Sequence, residues 1–334
     1  AVLAETLASI DRQVNRAGVE LELLVVDSGS TDGSAELAER HGARVIRIDK
    51  ANFSHGGTRN MAVAEAKGDA VAMLTQDAAP LTGEWVDAIV EGFALADDVA
   101  LVFGPHIPRR EHSHVVKREL LDHFRIWERG GEPLLRRIEP GPGGVDDYRQ
   151  HPGDYQFFSD VNGALARWAW ERVPYREVPY AEDQLLGREM IEAGFAKVYH
   201  PRMAVVHSHD YSPLRFMKRY FDEYRGLREV LGYIPPIGLR SALRTILGLS
   251  RGDRRYLRGE GVKGRKLFTG TLHSLRHHSL RLLGQTLGGR ADRVPSWLSR
   301  RLSLEGRGGF APVELPGPLL AGHPDPPAPE QSNT

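Results

Sequence analysis

An α/β fold, with a mostly parallel sheet covered by helices on both faces, is predicted by three features of this 334-residue sequence. In the N-terminal third, short runs rich in β-branched residues alternate with segments whose apolar residues recur at helical spacing. Several of these runs end in an acidic residue followed by a polar turn. Hydrophobic residues make up 41% of the chain and charged residues 26%, a balance typical of globular proteins. Strands that alternate with helices favour a parallel sheet, because parallel neighbours need a crossover connection.

The predicted elements of the N-terminal part begin with a helix. Leu3, Leu7, Ile10 and Val14 recur at the spacing of one helical face. In order, we predict a helix over 2–14, a strand over 21–26, a helix over 34–41, a strand over 44–48, a helix over 58–66, a strand over 70–74, a helix over 85–95 and a strand over 100–103. A first strand should precede the first helix, so we expect it upstream of Ala1, in a segment of roughly ten to twenty residues.

The rest of the chain divides by composition. Residues 111–150 are rich in Gly and Pro, which favours a helix followed by a mobile loop. Order is expected to return with 157–166, a helix over 182–193, a strand over 204–207 and a basic helix over 213–230. The predicted division is an α/β domain over 1–232, a basic helical extension over 233–311 and a disordered Pro-rich tail over 312–334.

The charge is unevenly distributed along the chain. It carries 44 basic and 44 acidic residues, but residues 236–310 hold 16 Lys and Arg against 4 Asp and Glu. This segment is interpreted either as an amphipathic surface that contacts an anionic membrane or as a solvated basic helical hairpin. It shows no recognised nucleic-acid-binding motif, so nucleic acid is not an expected partner. The chain has no cysteine, no basic segment at its start and no long apolar run, so the cytoplasm is the expected location, with peripheral contact at the inner face of the cell membrane.

Two polar segments are candidates for binding a nucleotide. Residues 27–33 (Asp-Ser-Gly-Ser-Thr-Asp-Gly) follow a predicted strand, where Asp27 and Ser28 can contact a base or a ribose. The alternative is that Asp27 only shapes the turn. Residues 53–60 (Phe-Ser-His-Gly-Gly-Thr-Arg-Asn) end at a predicted helix start, where anions are favoured and where Arg59 and Asn60 can reach a phosphate or base. An ordinary capped turn is the alternative there.

Other segments carry groups for metal and acid–base chemistry. Asp77 follows an apolar strand, and His207 closes the run at 203–206. A carboxylate and an imidazole together make a plausible site for Mg²⁺ or Mn²⁺. Glu182 and Asp183 open a predicted helix, where the helix dipole is expected to lower the pKa of the acid. Each residue also has a structural interpretation, as a strand-end turn, a structural histidine or a favourable helix-start acid.

Taken in order, these segments resemble the family 2 nucleotide-sugar glycosyltransferases with the GT-A fold, and most of all the bacterial rhamnosyltransferases. The resemblance covers residues 21–211 and rests on six pieces. They are 26–32 (Val-Asp-Ser-Gly-Ser-Thr-Asp), 53–60, 75–78 (Thr-Gln-Asp-Ala), 160–164 (Asp-Val-Asn-Gly-Ala), 182–184 (Glu-Asp-Gln) and 207–209 (His-Ser-His).

The resemblance implies a role for each piece. Asp77 matches the last acid of the family's Asp-X-Asp metal motif, whose first acid is replaced here by Thr75. Asp183 matches the catalytic base, with Glu182 beside it, and His207 matches a histidine that can complete the metal site. Asp27 would contact the nucleobase, and the 160–164 segment would line the donor-sugar and acceptor region. The implied donor-binding set is Asp27, Ser28, Arg59, Asn60, Gln76, Asn162 and Gly163.

The implied function is inverting, metal-dependent transfer of a sugar, L-rhamnose from dTDP-rhamnose, to a hydroxyl of a lipid-linked or polysaccharide acceptor in cell-envelope glycan synthesis. Asp183 would take the proton of the acceptor hydroxyl in a single displacement. Three alternatives remain open. The donor could be UDP-galactofuranose or UDP-glucose, the reaction could be nucleotidyl transfer, or the chain could be a non-catalytic GT-A-like module that binds glycan or serves as a scaffold.

Overall fold

The computed structural model describes residues 2–235 and 238–314. The strands, in chain order, are β1 (Leu24–Asp27), β2 (Arg44–Arg47), β3 (Ala70–Leu74), β4 (Ala79–Pro80), β5 (Val99–Phe103), β6 (His106–Ile107), β7 (Leu134–Arg136), β8 (Asn162–Ala166), β9 (Ala196–Tyr199) and β10 (Val205–Val206). The helices are α1 (Val2–Asp11), α2 (Ser34–Arg40), α3 (His55–Glu65), α4 (Trp85–Phe93), α5 (His114–Phe124), α6 (Pro142–Gln150), α7 (Pro152–Gln156), α8 (Arg167–Trp170), α9 (Glu182–Glu192), α10 (Pro213–Leu231), α11 (Leu239–Gly259), α12 (Gly264–Gly288) and α13 (Ser296–Leu302). Short 3-10 turns occur at Lys50–Asn52 and Ala291–Arg293.

The central sheet has five strands in the order β3-β8-β5-β9-β7. The α/β fold class is confirmed, but the expectation of a mostly parallel sheet is wrong. Among the described strands, β1–β2, β6–β10 and β5–β9 pair in parallel, whereas β8 is antiparallel to both its neighbours and β7 and β4 are antiparallel to theirs. The reason is the segment from α5 to α7, which carries the chain to the opposite end of the sheet. The chain therefore enters the sheet there as β8, antiparallel to its neighbours. Simple strand–helix alternation therefore holds only for the N-terminal part.

The N-terminal ribbon and the central sheet have different surroundings. β1 and β2 pair with each other, and α1 and α2 cover them through Leu7 and Ala38, which share a hydrophobic cluster with Ala43 just before β2. The central strands β5, β8 and β9 are buried along their whole length. Helix α4 packs on one face through Trp85 and Ile89, so the middle of the sheet forms the rigid part of the core.

The end of the sheet that carries the acidic turns is set by strand register. Leu74, the last residue of β3, pairs with Asn162, the first residue of β8. The turn that follows β3 and the turn that precedes β8 therefore lie side by side at the same end of the sheet. The side chain of Asn162 also donates to the carbonyl oxygen of Met203 at 2.6 Å, which ties the approach to β10 to the same end.

The segment 111–150 is more regular than expected. It contains α5, β7 and α6, with α7 immediately after it, where we predicted a helix followed by a mobile loop. The missed helix α6 is held by Tyr148, which packs beside Tyr155, Ile138 and Ile191 and donates a hydrogen bond to Glu192 at 2.7 Å. The Gly-Pro content near residue 141 marks the start of this helix, since proline suits a first helical turn.

The C-terminal helices form a layer against α5 and α10. Helix α12 approaches α10 closely because Gly284 and Gly288 lack side chains; a Cβ there would stand 2.5 Å and 2.3 Å from carbonyl oxygens of α10. After α13 the chain returns to α10, where the Val313 amide donates to the Glu229 carbonyl at 2.8 Å. Of the predicted disordered tail 312–334, residues 315–334 lie outside the described residues. Within the described ranges, every helix is too short or too polar to serve as a membrane span.

Candidate functional site

Three potential metal ligands meet beyond the C-terminal end of β3, where the acidic turns lie. The Nε2 atom of His207 lies 3.6 Å from Oδ1 of Asp77, and the Nε2 atom of His209 lies 3.3 Å from Oδ2. All three ligand atoms fall within 4.8 Å of one another. Thr75, at the position of the family motif's first acid, donates its hydroxyl to Oδ1 of Asp77 at 2.8 Å and so orients the carboxylate.

The electrostatics of this cluster suit a cation. Burial lowers the pKa of His207 to about 4, and burial also lowers the pKa of His209. Both imidazoles are therefore neutral at pH 7 and have a lone pair for coordination. The carboxylate of Asp77 supplies a hard oxygen ligand beside them. An oxygen and two nitrogens, already convergent, fit Mg²⁺ or Mn²⁺.

His209 is a ligand candidate that the sequence analysis did not select. It stands two residues after His207, and alternate residues of an extended segment face the same side. That spacing was the available signal. Arg109 flanks the cluster, since its guanidinium donates to the Asp77 carbonyl at 3.3 Å and pairs with Glu5 at 2.9 Å.

A second group of charges surrounds the predicted base. The guanidinium of Arg59 pairs with Asp160, Nε to Oδ2, at 2.7 Å and also pairs with Glu182. Oδ1 of Asp183 accepts from the Gln184 amide at 2.8 Å, and Oδ2 lies 3.4 Å from the Asp160 amide. Arg59, expected beside the nucleotide, contacts the acids around the predicted base.

The backbone that presents these acids is strained. Ala181, the residue before α9, has a φ of 56°, in the left-handed region that residues other than glycine rarely adopt. Such conformations persist only where the surrounding structure enforces them, and they concentrate at functional sites. Here the strained residue directly precedes Glu182 and Asp183.

The pKa values of these acids are raised, contrary to the helix-dipole expectation. Burial, reinforced by the charges of Glu182 and Asp160, raises the pKa of Asp183 to about 8. Burial also raises the pKa of Asp160 to about 6, although Arg59 opposes the shift. The dipole of α9 is therefore the smaller effect. A carboxyl whose pKa lies near the working pH is a stronger base than an ordinary aspartate.

The Asp27 turn has the contacts that one of the two interpretations expects, in which the carboxylate shapes the turn. The carboxylate accepts from the amides of Gly29 and Ser30 at 3.1 Å, so it does shape the turn. Hydrogen bonds from Ser30 and Gly29 lower the pKa of Asp27 and keep it ionised. Ser28 is half-buried beside it. The turn follows β1, so its polar groups are available to a ligand at the strand end.

Three of the residues predicted to contact the donor make close contacts within the protein. Asn60 donates to the Tyr175 carbonyl at 2.8 Å and accepts from two N–H groups. Asn162 is fully buried, accepts from the Trp85 indole at 2.9 Å and donates to Met203. A Cβ on Gly163 would come within 2.5 Å of a phenylalanine ring. The structure gives these residues positioning roles, whereas the Gln76 side chain is exposed.

A cavity of about 300 Å³ adjoins the metal-ligand cluster. His207 and His209 line it on one side, and α5, α10 and α12 supply the other walls. The guanidinium of Arg219 in this cavity stacks over the Tyr180 ring at 5.3 Å. Tyr180 lies three residues before Asp183, so the cavity wall is connected to the turn that carries the predicted base.

The family description "Glycosyl transferase family 2" matches residues 1–148. The O-antigen chain rhamnosyltransferase WbaN of Salmonella anatum is 31% identical over 224 residues, which cover 65% of this chain and 65% of that protein. The O-antigen chain rhamnosyltransferase RfbN of Salmonella typhimurium is 30% identical over 206 residues, covering 60% and 61%. This chain therefore spans less than two thirds of the length of these curated relatives.

A solved structure supports the fold. The mannosyltransferase PcManGT from Pyrobaculum calidifontis, in complex with GDP-Man and Mn²⁺, superposes with a TM-score of 0.53 over 87% of this chain and 82% of that one. The sequences are 16% identical, so the likeness concerns the fold alone. It agrees with the GT-A architecture expected from the sequence.

Proposed function

We propose that this chain is a glycosyl transferase of family 2, the family whose description matches residues 1–148, and that it transfers a sugar from a nucleotide-diphosphate donor to a hydroxyl group of a glycan, with inversion at the anomeric carbon. One observation carries the proposal. Asp183, a carboxyl group with a raised pKa, contacts the Asp160 amide just before β8, and the register of β8 with β3 places that turn beside the turn that carries Asp77 of the metal-ligand cluster. A base and a cation site are the two components that displacement of a nucleoside diphosphate requires.

In this mechanism Asp183 accepts the proton of the acceptor hydroxyl. Its Oδ2 atom is the acceptor, because Oδ1 already holds the Gln184 amide at 2.8 Å while Oδ2 has only a long 3.4 Å contact. The hydroxyl oxygen then bonds to the anomeric carbon as the bond to the diphosphate breaks. Glu182 is engaged by Arg59 and acts as a positioning residue, not as a second base.

The metal would be held by Asp77, His207 and His209. A bound divalent cation supplies charge neutralisation for a diphosphate leaving group. Thr75 would fix the orientation of the carboxylate, and Arg109 would add a fixed positive group beside it.

The proposed donor is dTDP-rhamnose, and the proposed acceptor is a lipid-linked or polysaccharide glycan of the cell envelope. The support is the similarity to two proteins described as O-antigen chain rhamnosyltransferases. The Asp27 turn, with Ser28, is the proposed nucleobase and ribose contact. Its ionised carboxylate lies opposite Arg47 in the β1–β2 register, at the strand end.

Donor hydrolysis by the purified chain tests this function. The panel is dTDP-rhamnose, UDP-galactofuranose and UDP-glucose, each with Mn²⁺, with Mg²⁺ and with EDTA. We expect metal-dependent release of dTDP and no release from the UDP-sugars. Release of UDP would replace the donor assignment, and an inert chain would favour the non-catalytic alternative. Asp77→Asn should abolish release, while the exposed-site control Asp97→Asn should retain it.

We further propose that residues 233–311 form an extension that contacts an anionic membrane from the cytoplasmic side. Residues 240–266 carry nine Lys and Arg against two acids, and exposed apolar side chains lie within this segment and just after it. The exposed apolar residues are Leu243, Leu247, Phe268 and Leu272, at 54%, 44%, 64% and 50%. Basic side chains around an apolar strip suit an anionic bilayer surface.

Co-sedimentation with liposomes tests this contact. Wild type should bind vesicles containing anionic lipid and should dissociate as salt is raised. The double variant Leu243→Ser/Leu247→Ser should bind more weakly, and Leu95→Ser, an exposed leucine after α4, serves as the matched control. Equal binding to neutral and anionic vesicles would contradict the proposal.

A further inference from the structure

The cavity beside the metal-ligand cluster contains two opposite charges that attract each other through space but make no direct hydrogen bond or ion pair among the described residues. Arg219 and Glu223 lie one turn apart on α10 and both line the cavity. Across residues 2–235 and 238–314, neither side chain has a hydrogen bond or an ion-pair partner; Arg219 has only its stacking contact with Tyr180. By contrast, Arg281 in the same cavity pairs with Glu119 at 2.7 Å.

Both unpaired side chains are partly withdrawn from water. Each is half-buried, and burial raises the pKa of Glu223. Withdrawing a charged group without a hydrogen-bond partner is unfavourable, and a bound ligand that supplies the partner removes that penalty. The arrangement therefore indicates a site for a polar ligand.

The charges of the cavity exclude one class of ligand. Arg219 and Arg281 balance Glu119 and Glu223, so the lining has no excess positive charge from these groups. A phosphate accepts hydrogen bonds and carries negative charge, so Glu223 would repel it. A neutral sugar hydroxyl can donate to Glu223 and accept from Arg219 at the same time.

The apolar part of the lining fits the same ligand. Phe216 and Tyr220 lie 4.8 Å apart, and Tyr211 stacks on His209 with ring centroids 5.3 Å apart. Aromatic faces beside a few convergent polar groups are typical of small-molecule sites, and they can cover the apolar faces of a sugar ring. A second cavity of about 220 Å³ shares Tyr211 and Phe216 with the first, so the groove extends beyond one sugar.

We propose that this groove binds the neutral oligosaccharide end of the acceptor, with Arg219 and Glu223 as its specificity-determining residues. The proposal rests on the glycosyltransferase function proposed above, because the acceptor must reach the His207–His209 side of the cavity. It adds that the C-terminal helices α10 and α12, beyond the region matched by the family, select the acceptor.

The test is direct binding of neutral glycosides to the full chain, which needs no turnover. Saturation-transfer NMR would be recorded at millimolar concentrations with the methyl glycosides of rhamnose, mannose, galactose and glucose, and with inorganic pyrophosphate as the anionic probe. Wild type should bind at least one glycoside. Glu223→Gln and Arg219→Met should each weaken that binding about 10- to 100-fold, as expected for the loss of a hydrogen bond to a charged group.

A matched control and a second readout separate the outcomes. Lys218→Met removes a charge from the neighbouring position on α10, outside the cavity, and should bind as wild type does. Donor hydrolysis without acceptor is measured beside glycoside binding, and the control Lys218→Met should stay within about twofold of wild type. If wild type shows no donor hydrolysis but the cavity variants lose glycoside binding, the proposal that the groove binds glycosides is supported and the proposed transferase function is refuted. Wild-type-like glycoside binding by both cavity variants, pyrophosphate binding that both cavity variants lose, or no glycoside binding by wild type would each overturn the proposal.

Discussion

Replacing Asp183 by Asn is expected to stabilise the fold at high pH while it strongly slows sugar transfer. The folded-state pKa of about 8 lies above the ordinary value of 3.8. Because the pKa is raised on folding, the stabilising contribution of the neutral carboxyl is complete below pH 3.8 and is lost progressively until the pH passes 8. The upper limit of this loss at pH 9 is about 6 kcal/mol, at 1.36 kcal/mol per pKa unit. At pH 5 the corresponding limit is about 1.6 kcal/mol.

The net gain from Asp183→Asn will be smaller than this limit, because water and neighbouring groups relax around the ionised carboxylate. We expect the free energy of unfolding to rise by about 2 kcal/mol at pH 9 and by less than about 1 kcal/mol at pH 5. Urea denaturation of wild type and variant at both values measures the difference. Asp97→Asn, at an exposed site, controls for the general loss of a negative charge.

Transfer by Asp183→Asn should fall by about 10² to 10⁴, the usual contribution of a general base. Donor affinity, measured by titration with dTDP, should not change. Two results would refute the reasoning. One is an equal stability change at pH 5 and pH 9, which would mean that Asp183 is not held neutral by burial. The other is retained transfer, which would remove its role as base.

Three further predictions concern the pH profile, the metal site and the framework. The rate of transfer by wild type should rise with pH through about 8 and then level off, and a profile already level at pH 6 would contradict the raised pKa of Asp183. Mn²⁺ binding, followed by paramagnetic resonance, should weaken in His209→Ala by at least about tenfold relative to wild type, whereas unchanged binding would limit the site to the two residues chosen from the sequence. Asn162→Ala should lower the free energy of unfolding by about 2 to 5 kcal/mol, because an indole N–H and a carbonyl lose their buried partners, and a loss below about 1 kcal/mol would show that they find others.

A pH-dependent contact joins the C-terminal layer to the rest of the chain. His278 is buried between Asp253, at 2.7 Å from Nε2, and Glu119, at 3.3 Å from Nδ1, with Arg118, Arg281 and His277 around the same carboxylates. Hydrogen bonds to Asp253 and Glu119 outweigh burial and raise the pKa of His278. Its contribution to stability is therefore complete below about pH 6.5, and it declines as the pH rises through the folded-state pKa of His278. In His278→Gln this part of the pH dependence should disappear from urea unfolding curves, and an unchanged curve would contradict it.

Much of the fold could be predicted from the N-terminal sequence because its signals are local. The strand 70–74 was predicted at its observed bounds, and most of the other N-terminal elements differ from the prediction by one to three residues. The antiparallel insertion of β8 could not be predicted, since its direction depends on the path of the segment from α5 to α7. Strand β9 was also missed. Lys197 interrupts its apolar pattern, and the structure satisfies that ammonium group with backbone carbonyls.

The residues of the candidate site could be chosen from the sequence, but most of the contacts between them could not. Asp77 and His207 come together as expected, and the spacing of His209 could have added the third ligand. The ion pairs of Arg59 could not be foreseen, because one partner, Asp160, lies about a hundred residues downstream. The raised pKa of Asp183 has the same origin, since burial by distant segments outweighs the local helix dipole.

The anomeric configuration of the product tests the central claim most directly. The purified chain would be incubated with dTDP-rhamnose, Mn²⁺ and the glycoside that binds best, and the new linkage would be assigned by NMR. The account predicts that every product has the configuration opposite to that of the donor, because Asp183 serves one displacement by the acceptor hydroxyl. A product with retained configuration would require either two displacements or attack from the face of the departing diphosphate, and it would contradict a single in-line displacement with Asp183 as the base.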